Sequence, residues 1–264
     1  MISYGNITAM ALGAQHFYHC DAKDAMLIST ISEATGEVVM RWVRESRSNH
    51  WLDSTCLALA AARSVARMDR EVRARQWRQI EGVQLRGKTL AVIGLGKIGR
   101  EVARRARAFG MEVHGFGNYW PEEIAAEFQI TRHASLDSLF DNVDIISPHT
   151  NLNAQTLHCI NAERLNRLPD GSWVINTGRG ELIDQAAIIA ALDSGKLAGY
   201  AADVLDQEPP PADHPLLHHP KVIITPHVGS RTFESVPRQA MKSLTNLINA
   251  LKGEGECNCA NGVI

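Results

Sequence analysis

The sequence predicts an α/β fold with a doubly wound parallel sheet, and three observations carry that prediction. Short, branched, continuously apolar runs recur between residues 90 and 225, the pattern of strands buried on both faces. Stretches of helical periodicity alternate with them, which places helices on both sides of a parallel sheet. The first run ends in a glycine-spaced turn that opens directly into a helix, KTLAVIGLGKIGREVARRARAFG from Lys88 to Gly110.

The rest of the chain is organised around that stretch. Leu90 to Ile93 is the strand, and Gly94, Gly96 and Gly99 follow in G-x-G-x-x-G spacing. The first glycine allows a tight turn, the second lets a pyrophosphate approach bare backbone, and the third lets the helix pack closely on the strand. The phosphates belong at the helix N-terminus, where free N–H groups and the positive dipole end favour anions. A second strand, Glu112 to Phe116, arrives where a β-α-β unit needs it, so the stretch reads as the start of a Rossmann-type dinucleotide-binding unit.

Taken in order, the first 50 residues are the least informative. MLISTI and EVVMRWV read as a strand and a helix, without enough alternating elements for a complete α/β lobe. From Leu52 to Trp77, apolar residues such as Leu57, Val65, Met68 and Val72 recur at mixed three and four spacing and predict one long helix. Beyond the dinucleotide unit, Pro121 opens the short helix PEEIAAEF, with acidic residues at its positive end. A helix at Leu136 to Phe140 and a strand at Val143 to Ser147 follow. Next come a helix at Ala162 to Leu168, a strand at Trp173 to Asn176 and a helix at Gln185 to Leu192. Strands at Tyr200 to Val204 and Val222 to Thr225 complete the sheet, and Val236 to Leu251 is a last amphipathic helix. Pro209 to Pro211 form a rigid loop. The expected division is a reduced substrate-lobe segment at 1–51, a dinucleotide-binding domain at 52–234, and a C-terminal helix and tail at 235–264 that return to the reduced second lobe.

Composition narrows the partners. The chain has 264 residues, 45% hydrophobic and 21% charged, an ordinary globular balance, and a formal net charge of −2 gives no reason to expect nucleic acid or an acidic membrane. The arginines between Arg63 and Arg78 are interspersed with Asp69 and Glu71, which suits a solvated helix face. The N-terminal segment lacks the basic start and apolar core of a signal peptide, and a cytoplasmic location is the expectation. The 5 cysteines are an odd, scattered set that reads as reduced thiols, and Cys257 and Cys259 have no nearby pair to complete a metal site. His214, His218 and His219 fit no compact ligand set, so no metal is expected. Trp51, Trp77 and Trp120 read as packing anchors.

In open parallel sheets, ligands bind at the carboxyl ends of strands, and three such ends carry reactive side chains. Arg179 lies in the turn after SWVINT, Asp203 and Glu208 follow GYAA, and His227 follows VIITP. A guanidinium grips a carboxylate bidentately. A histidine gives or takes a proton near neutrality, and a nearby glutamate holds the ring and favours its protonated form. Beside a nicotinamide, that set suits reduction of a 2-keto acid.

GLGKIG, NTGRGELID, GYAADVLDQEPPP and TPHVGSRT, in this order and spacing, resemble the signature of the D-isomer-specific 2-hydroxyacid dehydrogenases over residues 52–251. The resemblance implies an NAD(P)-dependent oxidoreductase interconverting a D-2-hydroxy acid and a 2-keto acid. It implies Arg179 as the substrate-carboxylate binder, His227 as general acid/base and Glu208 as its partner. Cofactor contacts are expected from Gly94, Gly96, Lys97, Ile98 and Gly99 around the phosphates, and from Asn118 after the second strand. His149, Thr150, Thr177, Gly178 and Gly229 are expected to flank the cofactor, and Asp203 to meet the nicotinamide amide. The family also pairs through its dinucleotide domains, so a homodimer through the helix from Leu52 is expected.

Two departures accompany the resemblance. Gly117 stands where relatives that favour NAD carry an acid for the ribose hydroxyls, and Asn118, Tyr119 and Trp120 offer no cation for a 2′-phosphate. Binding of NAD or NADP with poor discrimination, leaning slightly to NAD, is the expectation. The N-terminal portion is short and unlike the family's lobe, as a truncated or recombined reading frame would produce. The competing expectation is therefore a catalytically impaired nucleotide-binding remnant or interaction module without a complete substrate cleft.

Overall fold

A computed structural model of the chain describes residues 26–31, 38–43 and 50–252, with side chains described for residues 50–246. The signal-peptide reading of the first residues, Cys20, and the tail with Cys257 and Cys259 lie outside the described residues. Two compact units emerge, one spanning Arg47–Ser230 and one joining the N-terminal segment to the chain from Arg231 onward.

In the smaller unit, β1 (Met26–Ile31) and β2 (Val38–Val43) pair antiparallel, and α9 (Ser235–Lys252) runs alongside them. EVVMRWV is thus a strand and not a helix. The Val-rich, aromatic-bearing Val38–Val43 suits a strand, and its six residues are too few to show a helical period.

In the larger unit, α1 (His50–Ala62) and α2 (Val65–Arg73) precede β3 (Thr89–Ile93), α3 (Lys97–Ala108) and β4 (Glu112–Phe116). Then come α4 (Glu122–Glu127), β5 (Ile130–Arg132), α5 (Leu136–Leu139), β6 (Ile145–Pro148), α6 (Ala162–Arg167) and β7 (Ser172–Asn176). A short 3-10 turn, Gly180–Leu182, leads to α7 (Gln185–Asp193), β8 (Leu197–Ala202), α8 (Pro215–His218) and β9 (Val222–Ile224).

All strands of the 7-stranded sheet run parallel, in the order β5-β4-β3-β6-β7-β8-β9. The order reverses direction between β3 and β6, as in a doubly wound, Rossmann-type sheet, and that reversal opens a crevice at the strands' carboxyl ends. Each inner strand buries both faces. Leu90 and Val92 of β3 pack with Leu57 of α1 and Val102 of α3, while Ala91 and Ile93 pack with Leu139, Leu165 and Ile188 on the opposite side. Ile145 and Ile146 of β6, and Ile175 and Val174 of β7, divide in the same way. This division is why the runs read as continuously apolar. Asp144 pins the sheet's lower end, taking Lys88 Nζ at 2.6 Å and the Thr89 N–H at 2.8 Å.

The predicted long helix from Leu52 to Trp77 is two helices. Ser64 turns left-handed at φ 51, and the Ala62 carbonyl accepts the Val83 N–H at 2.7 Å instead of a donor one helical turn on. The chain returning at Val83, 21 residues on, ends α1, which no local period reveals. Trp51 does pack, with the Arg105 guanidinium 3.2 Å over its ring, and Trp120 lies 3.1 Å from where a Gly115 Cβ would stand. Trp77, 85% exposed beyond α2, anchors no packing among the described residues.

Candidate active site

Three glycines shape the sheet's mouth at the switch point. Gly94 ends β3 at φ +95, and its N–H donates to the Phe116 carbonyl of β4 at 2.7 Å. A Cβ there would stand 2.9 Å from the His149 carbonyl, so the loops after β3 and β6 touch. Gly99 presses α3 onto the Gly94 carbonyl with no room for a side chain. Above Gly96, at the start of α3, nothing lies within 4 Å of a Cβ position. This open cradle at the first turn, Lys97 and Ile98, fits a pyrophosphate.

The adenosine side is less complete. Gly117 supplies no carboxylate, yet a Cβ there would make only ordinary contacts of 3.4 Å with Gly94 Cα and the Tyr119 carbonyl. Asn118 and Tyr119 are exposed. One cation does reach this loop: Arg132 of β5 lies 5.1 Å from the Trp120 ring and pairs with Glu122 at 3.3 Å.

After β6, the His149 N–H donates to the Ile93 carbonyl at 2.7 Å. Ser147 Oγ donates to the Ile175 carbonyl at 3.2 Å and so accepts from His149 Nε2 at 2.9 Å. That chain places the His149 proton on Nε2 and leaves Nδ1 an acceptor. Burial, then the nearby His50, pushes this imidazole down to about 3, so it is neutral at physiological pH. Thr150 follows beside the Gly94 turn.

After β7, Asn176 is fully buried and fastens its own loop, donating to the Arg179 carbonyl at 2.9 Å and accepting the Gly178 N–H at 3.0 Å. Thr177 Oγ1 lies 2.5 Å from Ser54 Oγ of α1. Arg179 is half-buried, with Nη1 donating to the Gly178 carbonyl at 2.7 Å. Gly180 is pressed against the Leu205–Asp206 backbone, again with no room for a Cβ. The loop of Arg179 therefore abuts the loop of Glu208.

After β8 and β9, Asp203 is 1% exposed and accepts from Thr225 Oγ1 at 2.6 Å, the Val228 N–H at 2.9 Å and the Gly229 N–H at 2.8 Å. It thereby braces the loop that carries His227. His227 has left-handed backbone, φ 54, a conformation that non-glycine residues rarely hold unless their surroundings enforce it. Its Nδ1 lies 2.6 Å from Glu208 Oε2, and Glu208 Oε1 accepts the Leu205 N–H at 3.0 Å.

The profile described as "D-isomer specific 2-hydroxyacid dehydrogenase, NAD binding domain" matches residues 55–229. The chain belongs to the D-isomer-specific 2-hydroxyacid dehydrogenase family. Among members of that family, a glyoxylate reductase of Thermofilum pendens is 37% identical over 207 residues, covering 75% of this chain and 60% of that protein. A D-3-phosphoglycerate dehydrogenase of Bacillus subtilis is 38% identical over 193 residues, covering 72% of this chain and 36% of its own length. A solved glyoxylate reductase from Paecilomyes thermophila superposes with a TM-score of 0.75 at 35% identity, over 83% of this chain and 66% of that one. The chain thus spans less than two thirds of these curated relatives.

Other sequence candidates turn out to serve the loops. His214 Nδ1 accepts the Leu216 N–H at 3.3 Å, His218 Nε2 lies 2.8 Å from the Ala212 carbonyl, and His219 Nδ1 accepts the Lys221 N–H at 3.2 Å. Among the described residues, no group of three or more His, Cys, Asp or Glu is arranged to hold a metal. Cys159 is buried, which pushes its thiol up to about 11. Among the described residues, no helix is long and apolar enough to cross a membrane. Sequence reasoning missed Asp53, Ser54, Ser147 and Asn176. The first two sit in a stretch read for its apolar period, and the others inside strands read for their apolar neighbours.

Proposed function

We propose that the chain interconverts a D-2-hydroxy acid and a 2-keto acid with NAD or NADP, and the observation that carries this is the His227–Glu208 contact of 2.6 Å at the rim of a dinucleotide-type sheet. Glu208 accepts from His227 Nδ1, which orients the ring and leaves Nε2 as the nitrogen that exchanges a proton with the substrate oxygen. Arg179 holds the substrate carboxylate, which fixes the reacting carbon's position. Bound at the crevice, the nicotinamide supplies or accepts hydride. Gly94, Gly96 and Gly99 with the first turn of α3 hold its pyrophosphate, while Asp203 and Gly229 border its reactive end. His149, Thr150, Thr177 and Gly178 flank it.

Small substrates are favoured by the relatives, which include glyoxylate reductases. NAD is slightly favoured over NADP, with Asn118 in partial place of the missing acid. The unit formed by the hairpin and α9 is the reduced substrate lobe. We further propose a homodimer located in the cytoplasm.

The deciding experiment follows NADH and NADPH oxidation with glyoxylate, hydroxypyruvate and bulkier 2-keto acids, in the wild type and in Arg179→Ala. Turnover that the substitution reduces at least a hundredfold is expected. Cofactor binding without turnover on any of these acids would overturn the proposal in favour of a nucleotide-binding module.

A further inference from the structure

Asp53, in the first turn of α1, has no part in the chemistry above, yet it faces the site. Its helix is tied to the rim, because Ser54 bonds to Thr177 at 2.5 Å and donates to the His50 carbonyl at 2.9 Å. Asp53 Oδ2 is buried and accepts no donor. A buried carboxylate oxygen without a donor is costly, and the cost is relieved if the carboxyl is itself a donor. The acceptor within hydrogen-bonding range is Asp203. Asp203 Oδ1 already takes Thr225 Oγ1 and the Val228 N–H, whereas Oδ2 takes only the Gly229 N–H and keeps a lone pair. With donors already on both of its oxygens, Asp203 is the acceptor of the pair and Asp53 the donor.

We infer that Asp53 is a positioning residue that shares its proton with Asp203, and that this shared proton steadies the Thr225–Gly229 loop and hence His227. The link to turnover rests on the dehydrogenase reading; the shared proton does not. Burial is the largest cause raising Asp53 from the ordinary 3.8 to about 7, followed by the charge of Asp203 and its hydrogen bond, with His227 acting in the opposite direction. The other titratable groups around it are His50 on α1, whose Nδ1 lies 2.7 Å from where a Gly229 Cβ would stand, and His149 after β6. Glu208 stands behind His227, and Arg105 of α3 covers Trp51.

The sign follows from linkage. Below 3.8 the folded and unfolded chains both hold the Asp53 proton. Between 3.8 and about 7 only the folded chain holds it, so this group's contribution to stability falls as pH rises through that window. Above it, two facing carboxylates repel and the loop loosens.

The test compares wild type with Asp53→Asn, whose amide donates to Asp203 at every pH, and with Asp53→Ala, which donates nothing. Unfolding midpoints are measured from pH 5 to 8.5, together with kcat/KM for NADH and glyoxylate. The midpoint of the Asn variant is expected to gain on that of the wild type as pH rises from 5 to about 7, and to keep a constant lead above that. Its kcat/KM should lose the decline that the wild type shows near pH 7, and the Ala variant should fall about tenfold or more below the Asn variant at pH 6. A wild-type to Asn midpoint difference that stays constant across the range would overturn the shared proton. A changing difference with superimposable kcat/KM profiles would overturn the positioning role. If the wild type turns over none of the acids, the dehydrogenase reading and the positioning role fail, while the midpoints still decide the shared proton.

Discussion

At the scale of single residues, Gly117 is the most informative departure. A charged acceptor lost from the adenosine ribose costs about 1.5–3 kcal/mol, or one to two decades of affinity. Because a Cβ at this position meets nothing closer than 3.4 Å, the acid can be restored without strain. Gly117→Asp is expected to tighten NADH by about 10- to 100-fold and to weaken NADPH, whose 2′-phosphate would then face a carboxylate. Fluorescence titration of both cofactors checks this, and unchanged NADH affinity would mean that the ribose is held from elsewhere. Much of the site was legible at this scale because its key side chains follow directly after strands, where an α/β sheet presents its chemistry. His227 and Glu208 were visible as residue types, and the structure adds their contact of 2.6 Å. Asn176 was hidden because its amide turns inward to its own loop, and Ser147 because it lies within a buried strand.

At the scale of elements, the longer parallel strands were read to within two residues at each end, save the start of β8, Leu197, three residues before the predicted Tyr200, because burial on both faces writes itself as uninterrupted apolar sequence. The failures were elements set by contacts distant in sequence. β5, only three residues long, carries no such run, and α1 and α2 separate where Val83 takes the Ala62 carbonyl. Gly180 is a further example: it reads as one more loop glycine, but it is where the loop of Arg179 meets the backbone before Glu208. Gly180→Ala is expected to destabilise the fold by about 1–3 kcal/mol through overpacking, seen as a lowered Tm. Because the displaced loops carry the proposed acid/base pair and carboxylate binder, kcat/KM should fall much further than cofactor affinity. Equal losses in both would mean that the glycine serves the sheet and not the site.

At the scale of the whole molecule, family membership covers the sheet-bearing unit, and the chain spans 60% of the glyoxylate reductase it matches. The last helix was legible from its amphipathic period, and MLISTI as a strand, whereas the second strand was not, because six mostly apolar residues offer too little pattern. The proposed dimer draws support from apolar side chains left outside around α2: Val65 is 51% exposed, Val72 47% and Trp77 85%. Equilibrium sedimentation is expected to give about twice the 29.0 kDa of one chain, and the double change Val72→Asp with Trp77→Asp to give monomer. A wild-type mass of one chain would refute the dimer.

The two margins of the sheet set how such an assembly is built. β5 (Ile130–Arg132) and β9 (Val222–Ile224) are each three residues long, and the outward Thr131 and Arg132 on the first are polar and exposed. Margins so short offer an incoming chain little free backbone to zip onto, which protects against runaway stacking of sheets into fibres. In the dimer proposed above, these margins would leave the contact to side chains on the helices of the sheet-bearing unit.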